Sequence, residues 1–298
     1  MQPFYIDLYK SGELENRVEI LHKILENCRL CPRKCEVNRL KEEKGFCKAT
    51  PQLKASSIFA HFGEEPELVG RNGSGTIFLT NCNLGCLYCQ NYDISHLGAG
   101  EILTTQDMVK GMLYLQKIGC HNINFVTPTH FIPQITESVF LAVKEGLNLP
   151  LVFNCGGYEN IEVIKLLEGI FDIYMPDIKY SDPRYSKRYS NTQDYFERVK
   201  EVVLEMHRQV GDLEIIDGIA KRGLIIRHLV LPNDVAGSRE VLKFIAESIS
   251  KGTYVNIMDQ YRPLYRASEF LQINRPITYK EYFDAIQIAR DFGLHRGF

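Results

Sequence analysis

The chain has 298 residues, enough for one large domain or two small ones. Hydrophobic residues make up 45% and charged residues 24%, the balance of an ordinary soluble globular protein, and a net charge of −2 speaks against a life on nucleic acid or anionic lipid. No apolar run reaches the length of a membrane span, and the start Met1-Gln2-Pro3-Phe4 lacks the basic-then-apolar order of a secretory leader, so a cytoplasmic setting with no membrane contact is expected.

Residues 1–27 read as helical, with an apolar face through Val18, Ile20, Leu21, Ile24 and Leu25. Next comes the first of two cysteine groups. Of nine cysteines, seven lie in two tight clusters before residue 90, and in a reducing compartment such spacing favours metal over disulfides. Cys28, Cys31, Cys35 and Cys47 form C-x2-C-x3-C-x11-C, which satisfies a closed tetrahedral site. Zinc fits, a second [4Fe–4S] cluster fits nearly as well, and reduced, unliganded thiols are the bland alternative. The neighbouring Arg29, Arg33, Lys34, Arg39, Lys41 and Lys44 read as a solvated surface that offsets thiolate charge. An acidic protein, an electron donor or RNA is the competing partner, but the run lacks the interleaved aromatics of a nucleic-acid site. Residues 48–75 look loop-rich, with turns at Gly63 and at 71–75.

From residue 76 short apolar runs alternate with helical segments. The runs are 76–80, 123–127, 151–154, 173–175, 224–231 and 254–258; the helices centre near 105–118, 134–147, 159–168, 193–209, 236–250 and 278–292. Thr105 and Thr278 are expected N-caps, Gly119 and Gly293 expected stops. This is parallel β/α architecture. Six units suit a partial barrel or an open doubly wound sheet; the expected fold is an α/β, partial (β/α)6 TIM-like barrel over 74–298 with an N-terminal cysteine-rich, metal-binding extension over 1–73. In either architecture the reactive site lies at the C-terminal strand ends.

The second group, Cys82-Asn83-Leu84-Gly85-Cys86-Leu87-Tyr88-Cys89, follows the first of these strands as C-x3-C-x2-C. Three soft thiolates on one loop can each ligate an iron of a cubane cluster, leaving the fourth iron open for chemistry. A zinc knob with a fourth ligand from elsewhere is the alternative. At the later strand ends lie Thr127-Pro128-Thr129-His130, Asn154-Cys155, Asp177-Ile178-Lys179 and Arg227. His130 is a candidate proton donor or substrate contact near neutral pH, with plain hydrogen-bonded structure as its alternative. Cys155 is a candidate hydrogen-atom donor or ligand inside the cavity, or a small buried side chain. Cys120 reads as packing.

The C-x3-C-x2-C loop resembles the radical S-adenosylmethionine superfamily, and Tyr88 before the last cysteine matches it too. The resemblance implies a [4Fe–4S] cluster on Cys82, Cys86 and Cys89, with S-adenosylmethionine chelated at the open iron and cleaved reductively to a hydrogen-abstracting 5′-deoxyadenosyl radical. Where many members carry Gly-Gly-Glu for the methionyl amine, this chain has Thr127 and Thr129. Asn154 resembles a ribose-side position. The Asp177-x-Lys179 pair and Arg227 resemble cofactor-facing positions of glycyl-radical-enzyme activating enzymes. The Cys28–Arg39 segment and Met258-Asp259-Gln260-Tyr261-Arg262-Pro263 resemble a group related to the pyruvate formate-lyase activating enzyme. The implied function is an activating-enzyme-like oxidoreductase acting on a protein or peptide, reduced by a flavodoxin- or ferredoxin-like donor. Two alternatives stand beside it: a radical enzyme modifying a peptide or small molecule with an auxiliary metal centre, and a non-catalytic electron carrier or metal-binding module.

Overall fold

A computed structural model describes residues 1–298. It opens with two helices, α1 (Tyr5–Ser11) and α2 (Glu13–Lys23), divided at Gly12, whose φ of +80° turns the chain between them. The single helix expected over 1–27 is therefore broken, and Ile20, expected on its apolar face, is 38% exposed while Leu14 and Leu21 are buried.

Nine strands follow in chain order: β1 (Leu53–His61), β2 (Ser74–Leu79), β3 (Glu101–Leu103), β4 (Ile123–Val126), β5 (Leu151–Cys155), β6 (Ile173–Pro176), β7 (Glu214–Ile216), β8 (Ile219–Leu229) and β9 (Tyr254–Met258). The remaining helices are α3 (Pro66–Val69), α4 (Tyr92–Ser95), α5 (Thr105–Lys117), α6 (Ile132–Lys144), α7 (Ile161–Leu166), α8 (Pro183–Ser190), α9 (Tyr195–Val210), α10 (Ser238–Phe244) and α11 (Tyr279–Asp291).

The fold is mixed α/β around a mostly parallel sheet. β2, β4, β5, β6, β8 and β9 pair in that order and all run parallel. They correspond to the six apolar runs of the sequence. β1 adds antiparallel to β2, and β3 to β1. The nine-residue β1 lies inside the segment expected to be loop. Its Lys54-Ala55-Ser56-Ser57 stretch carries little strand preference; neighbours pairing on both sides hold it extended. β1 and β2 pair from Ala55↔Leu79 to His61↔Ser74, across the expected boundary at residue 73. β7 folds onto β8 through Asp217-Gly218, both at positive φ, the hairpin chemistry that an Asp-Gly pair favours.

Side-chain alternation divides the sheet into two faces. Leu151, Phe153 and Cys155 of β5 join the large core shared with the helices. Val152 points the other way, into a smaller group with Leu68, Ile173, Met175, Ile225 and Tyr254. Full burial of such side chains contributes about 1.5–3 kcal/mol each. Capping boxes start two helices. Thr278 with Glu281 opens α11 as expected, but α5 is capped by Thr104 with Asp107, one residue before the expected Thr105. Gly119 and Gly293 lie at positive φ just beyond these helices.

Candidate functional site

The cluster loop leaves the end of β2. Asn81 turns at φ +69°, and Gly85 at φ +78° passes Phe46 so closely that a Cβ would lie 3.2 Å from its ring. A polar group lies against each sulfur. Leu84 N–H donates to Cys82 Sγ at 3.4 Å, Ser190 Oγ to Cys86 Sγ at 3.0 Å, and Ser95 Oγ lies 3.1 Å from Cys89 Sγ. Burial, then the neighbouring Cys86, push the Cys82 thiol up to about 12; burial also raises Cys86, against the pull of Lys179. No three His, Cys, Asp or Glu side chains stand at closed metal-site spacing. The fit to an iron–sulfur cluster therefore lies in the donor set: three soft thiols on one loop, with hydrogen-bond donors on Cys82 and Cys86 that favour the thiolate form and the Ser95 hydroxyl beside Cys89. Tyr88 packs edge-on against Tyr180 and Tyr261, forming an aromatic wall below the loop.

Beside Cys86, four predicted side chains meet. Lys179 Nζ pairs with Asp177, Arg227 Nε donates to Asp177 Oδ1 at 2.8 Å, and Arg227 Nη2 donates to Asn154 Oδ1 at 2.6 Å. They come from the ends of β5 and β6 and from β8, on the face of the sheet opposite the large core, where α3 also packs. Burial alone would raise the Asp177 carboxyl, but Arg227 and then Lys179 overcome it and hold it below the usual range. Asp177 and Cys86 in turn keep the buried Lys179 protonated. Glu64, from the turn before α3, adds a second carboxylate 3.4 Å from Arg227 Nη1; burial pushes its own carboxyl up. Tyr195 locks the strand ends: its hydroxyl accepts the Lys179 N–H at 3.0 Å and lies 2.9 Å from the carbonyls of Gly156 and Asp177.

Of the other predicted residues only Thr127 adjoins this network. Cys155 shares the helix-facing side of β5, because strand side chains alternate and Asn154 takes the inner position. Of its two expected readings this place fits the small buried side chain, and it corrects the expectation of a donor or ligand inside the cavity. Burial raises its thiol well above the normal range. Thr129 donates its hydroxyl to buried Glu159 at 2.9 Å and is thereby engaged away from Lys179 and Arg227. Burial pushes Glu159 up to about 8. Thr127 turns at φ +59°, a conformation costly for a β-branched residue, with its N–H bonded to the Asn154 carbonyl. His130 is buried, donates from Nε2 to the Thr80 carbonyl at 2.7 Å, and is pushed down to about 3 by burial, so it is neutral at physiological pH rather than a ready proton donor. It borders the first cysteine group, not the Asp177 network: Cys28, Cys31, Cys35 and Cys47 line one cavity with His130 and Arg39.

The basic run around that group is only partly solvated. Arg39 is 1% exposed, and Arg33 reaches inward to the cluster loop. Sequence reasoning missed Arg33 and Arg39 as interior groups, and with them Glu64, Tyr195, Ser95 and Ser190. Ser190 lies 104 residues from Cys86, and no local pattern connects them. The Asp182-Pro183 start of α8, an N-cap followed by proline, was the available signal for the helix that carries it.

Residues 76–212 match the sequence pattern of the radical SAM superfamily. The chain is 33% identical over 298 residues to the uncharacterized protein MJ0674 of Methanocaldococcus jannaschii, spanning 97% of this chain and 82% of that protein. It is 21% identical over 299 residues to the uncharacterized protein MJ0808 of the same organism, spanning 91% and 78%. The matched region begins on β2 and holds the cysteine loop, Asn154, Asp177 and Lys179. This chain belongs to the radical SAM superfamily, whose members are enzymes that use a [4Fe–4S] cluster and S-adenosylmethionine.

Proposed function

We propose that this radical SAM enzyme is activating-enzyme-like and takes hydrogen from a glycine of a partner protein or peptide. Cys82, Cys86 and Cys89 would hold the cluster, and Asn154, Asp177, Lys179 and Arg227 would hold S-adenosylmethionine. The observation that carries this reading is the continuity of the Asp177 network with the cysteine loop: a Cβ on Gly156 would lie 2.5 Å from Leu84 of that loop and 3.9 Å from the side chain of Lys179, which pairs with Asp177. When bound, the cluster and its co-substrate supply a one-electron cleavage that delivers a hydrogen-abstracting 5′-deoxyadenosyl radical.

The chain's own groups then bind and orient. Asp177 holds Lys179 and Arg227 in place, so both cations would be ordered beforehand for a ligand carboxylate. Asn154, its Oδ1 held by Arg227, would contact the ribose. Tyr88, Tyr180 and Tyr261 exclude water beneath the cysteine loop. A partial barrel belongs to the same proposal. It is supported by the sequential order of the parallel strands and by contacts from the last of them back to the turn between β1 and α3, with Arg227 of β8 reaching Glu64 and Asn256 of β9 donating to Glu65 at 2.9 Å.

A flavodoxin- or ferredoxin-like donor has a fitting approach. A cavity of about 450 Å³ reaches Cys82 and is lined by Lys48, Lys187, Arg188 and Arg266, with no acidic residue. No helix is long and apolar enough to cross a membrane. A reducing cytoplasm suits oxygen-sensitive thiolates and is part of the proposal.

Anaerobic reconstitution with iron, sulfide and reductant tests the reading. S-adenosylmethionine turnover to 5′-deoxyadenosine is expected, and Cys86→Ala should eliminate it. No turnover by a protein with an intact, reducible cluster would sink it. Turnover without a glycyl radical on any co-expressed partner would favour a peptide- or small-molecule-modifying enzyme instead.

A further inference from the structure

The first cysteine group has no part in the chemistry above, and its surroundings are unusual. Cys28, Cys31, Cys35 and Cys47 line one cavity of about 20 Å³. That volume takes a single water-sized centre, far less than four irons with four sulfides. The cavity wall carries an uncompensated cation. Arg39 is 1% exposed; its Nη1 and Nη2 donate to the carbonyls of His130 and Thr50 at 2.6 Å each, and its Nε finds no partner. A buried guanidinium bonded only to neutral carbonyls calls for negative charge nearby. His130 borders the same cavity. Because its Nε2 donates to a carbonyl, its Nδ1 is an unprotonated acceptor, and that atom is buried and unpartnered. The chain also closes tightly round one sulfur. Phe46 N–H donates to Cys35 Sγ at 3.3 Å, and a Cβ on Gly45 would lie 2.7 Å from that sulfur.

We propose that Cys28, Cys31, Cys35 and Cys47 bind one zinc ion as four thiolates, and that this centre positions Arg33 against the cluster loop. Each thiol loses its proton to solvent on binding, and the centre carries a net charge of −2, which Arg39 and Arg33 offset. Ion binding draws the four sulfurs from the cavity wall onto one point. Arg33 sits between Cys31 and Cys35. Its guanidinium donates to the carbonyls of Asn83 at 2.9 Å, Leu84 at 3.1 Å and Asn191 at 2.7 Å, and it stacks 3.7 Å above the Phe46 ring. Two of those carbonyls belong to the loop carrying Cys82, Cys86 and Cys89. Arg33 is thus a positioning residue. Only this second half of the proposal rests on the radical-enzyme reading; the zinc site does not.

The test begins with a Cys82→Ala, Cys86→Ala, Cys89→Ala triple variant purified anaerobically and analysed for metals. One zinc and no iron per chain is expected. Iron with sulfide, or no metal, overturns the proposal. Titration of the same variant, stripped of metal, with cobalt(II) should give thiolate charge-transfer and tetrahedral ligand-field absorption saturating at one equivalent, with zinc displacing it. Adding Cys47→Ser should weaken cobalt binding at least tenfold while the chain stays folded by circular dichroism; undiminished binding removes Cys47 from the site. If the added serine unfolds the metal-free chain, thermal unfolding of the triple variant with and without zinc decides instead: a raised midpoint with zinc is expected, and an unchanged one refutes the site. In the otherwise native chain, Arg33→Ala should keep one zinc yet lose at least half of the cluster iron and broaden the electron paramagnetic signal of the reduced cluster. Arg33→Lys should restore part of both. Full iron and an unchanged signal in Arg33→Ala refute the positioning role.

Discussion

Arg227→Met is the most informative single change at the strand ends. Methionine fills most of the arginine's length, so little cavity forms and the loss is mainly electrostatic. Three acceptors lose their donor: Asp177 Oδ1 at 2.8 Å, Asn154 Oδ1 at 2.6 Å and Glu64 Oε2 at 3.4 Å. The pairs are largely buried, with side-chain exposures of 17% for Arg227, 14% for Asp177 and 7% for Glu64. Removing one partner of a buried ion pair costs about 3–5 kcal/mol. Here Lys179 still serves Asp177, and Glu64 can escape its charge by protonation, which favours the lower end. Asn154 Oδ1, left unpaired, adds about 1–3 kcal/mol. The sum predicts a loss of about 4 kcal/mol. Arg227→Lys keeps the charge but loses the fork and should lie between methionine and wild type. Urea unfolding followed by tyrosine fluorescence is the assay, since the chain has 16 tyrosines and no tryptophan. The midpoint should fall at an unchanged slope. Pairing Arg227→Met with Asp177→Asn should show coupling of about 1 kcal/mol or more. A loss under about 1 kcal/mol, or simple additivity, would refute the network as a unit.

Four further outcomes follow from the same geometry. His228, fully buried between the Ile178 carbonyl at 2.7 Å and Ser238 Oγ at 2.9 Å, is pushed by burial down to about 4. The unfolded chain takes up the proton first, so stability should fall as pH drops from about 6.5 through 4, by about 3 kcal/mol in all; urea midpoints of wild type and His228→Gln across that window check it, and equal slopes would count against it. Cys155→Ala should leave 5′-deoxyadenosine formation within about twofold, because its side chain faces the helical core; abolished turnover in a folded variant would mean it reaches the reacting groups. Thr278→Ala removes an acceptor for the Glu281 N–H and should cost about 1 kcal/mol, read by thermal unfolding. Lys187→Glu with Arg188→Glu should slow cluster reduction by an acidic flavodoxin at low salt and leave reduction by dithionite unchanged; equal slowing of both would move the docking face elsewhere.

Much of this protein is local enough to be read from its residues. The cysteine loop, its place after a strand, the six parallel strands and the cap of α11 depend on neighbours within a few positions. Charge and spacing also grouped Cys28, Cys31, Cys35 and Cys47. The strand β1 was not legible, because Lys54, Ala55, Ser56 and Ser57 are extended only by partners on either side. Asn154 and Cys155 show the same limit at one residue's resolution. A period of two assigns them to opposite faces, but nothing within the strand says which face meets Arg227. His130 was a sound candidate by type, and only the Thr80 carbonyl and full burial make it a neutral, poorly protonated group. Arg33 and Arg39 carry the same charge as the solvated lysines beside them, yet one grips the cluster loop and the other has no anion within its own bonds. Sequence by itself determined which thiols and polar groups the chain carries and the order of its elements, since both follow from residue type and short-range periodicity. Only the tertiary structure decided which polar groups lose their water, and that loss is what turns an arginine, a serine or a carboxylate into part of a site.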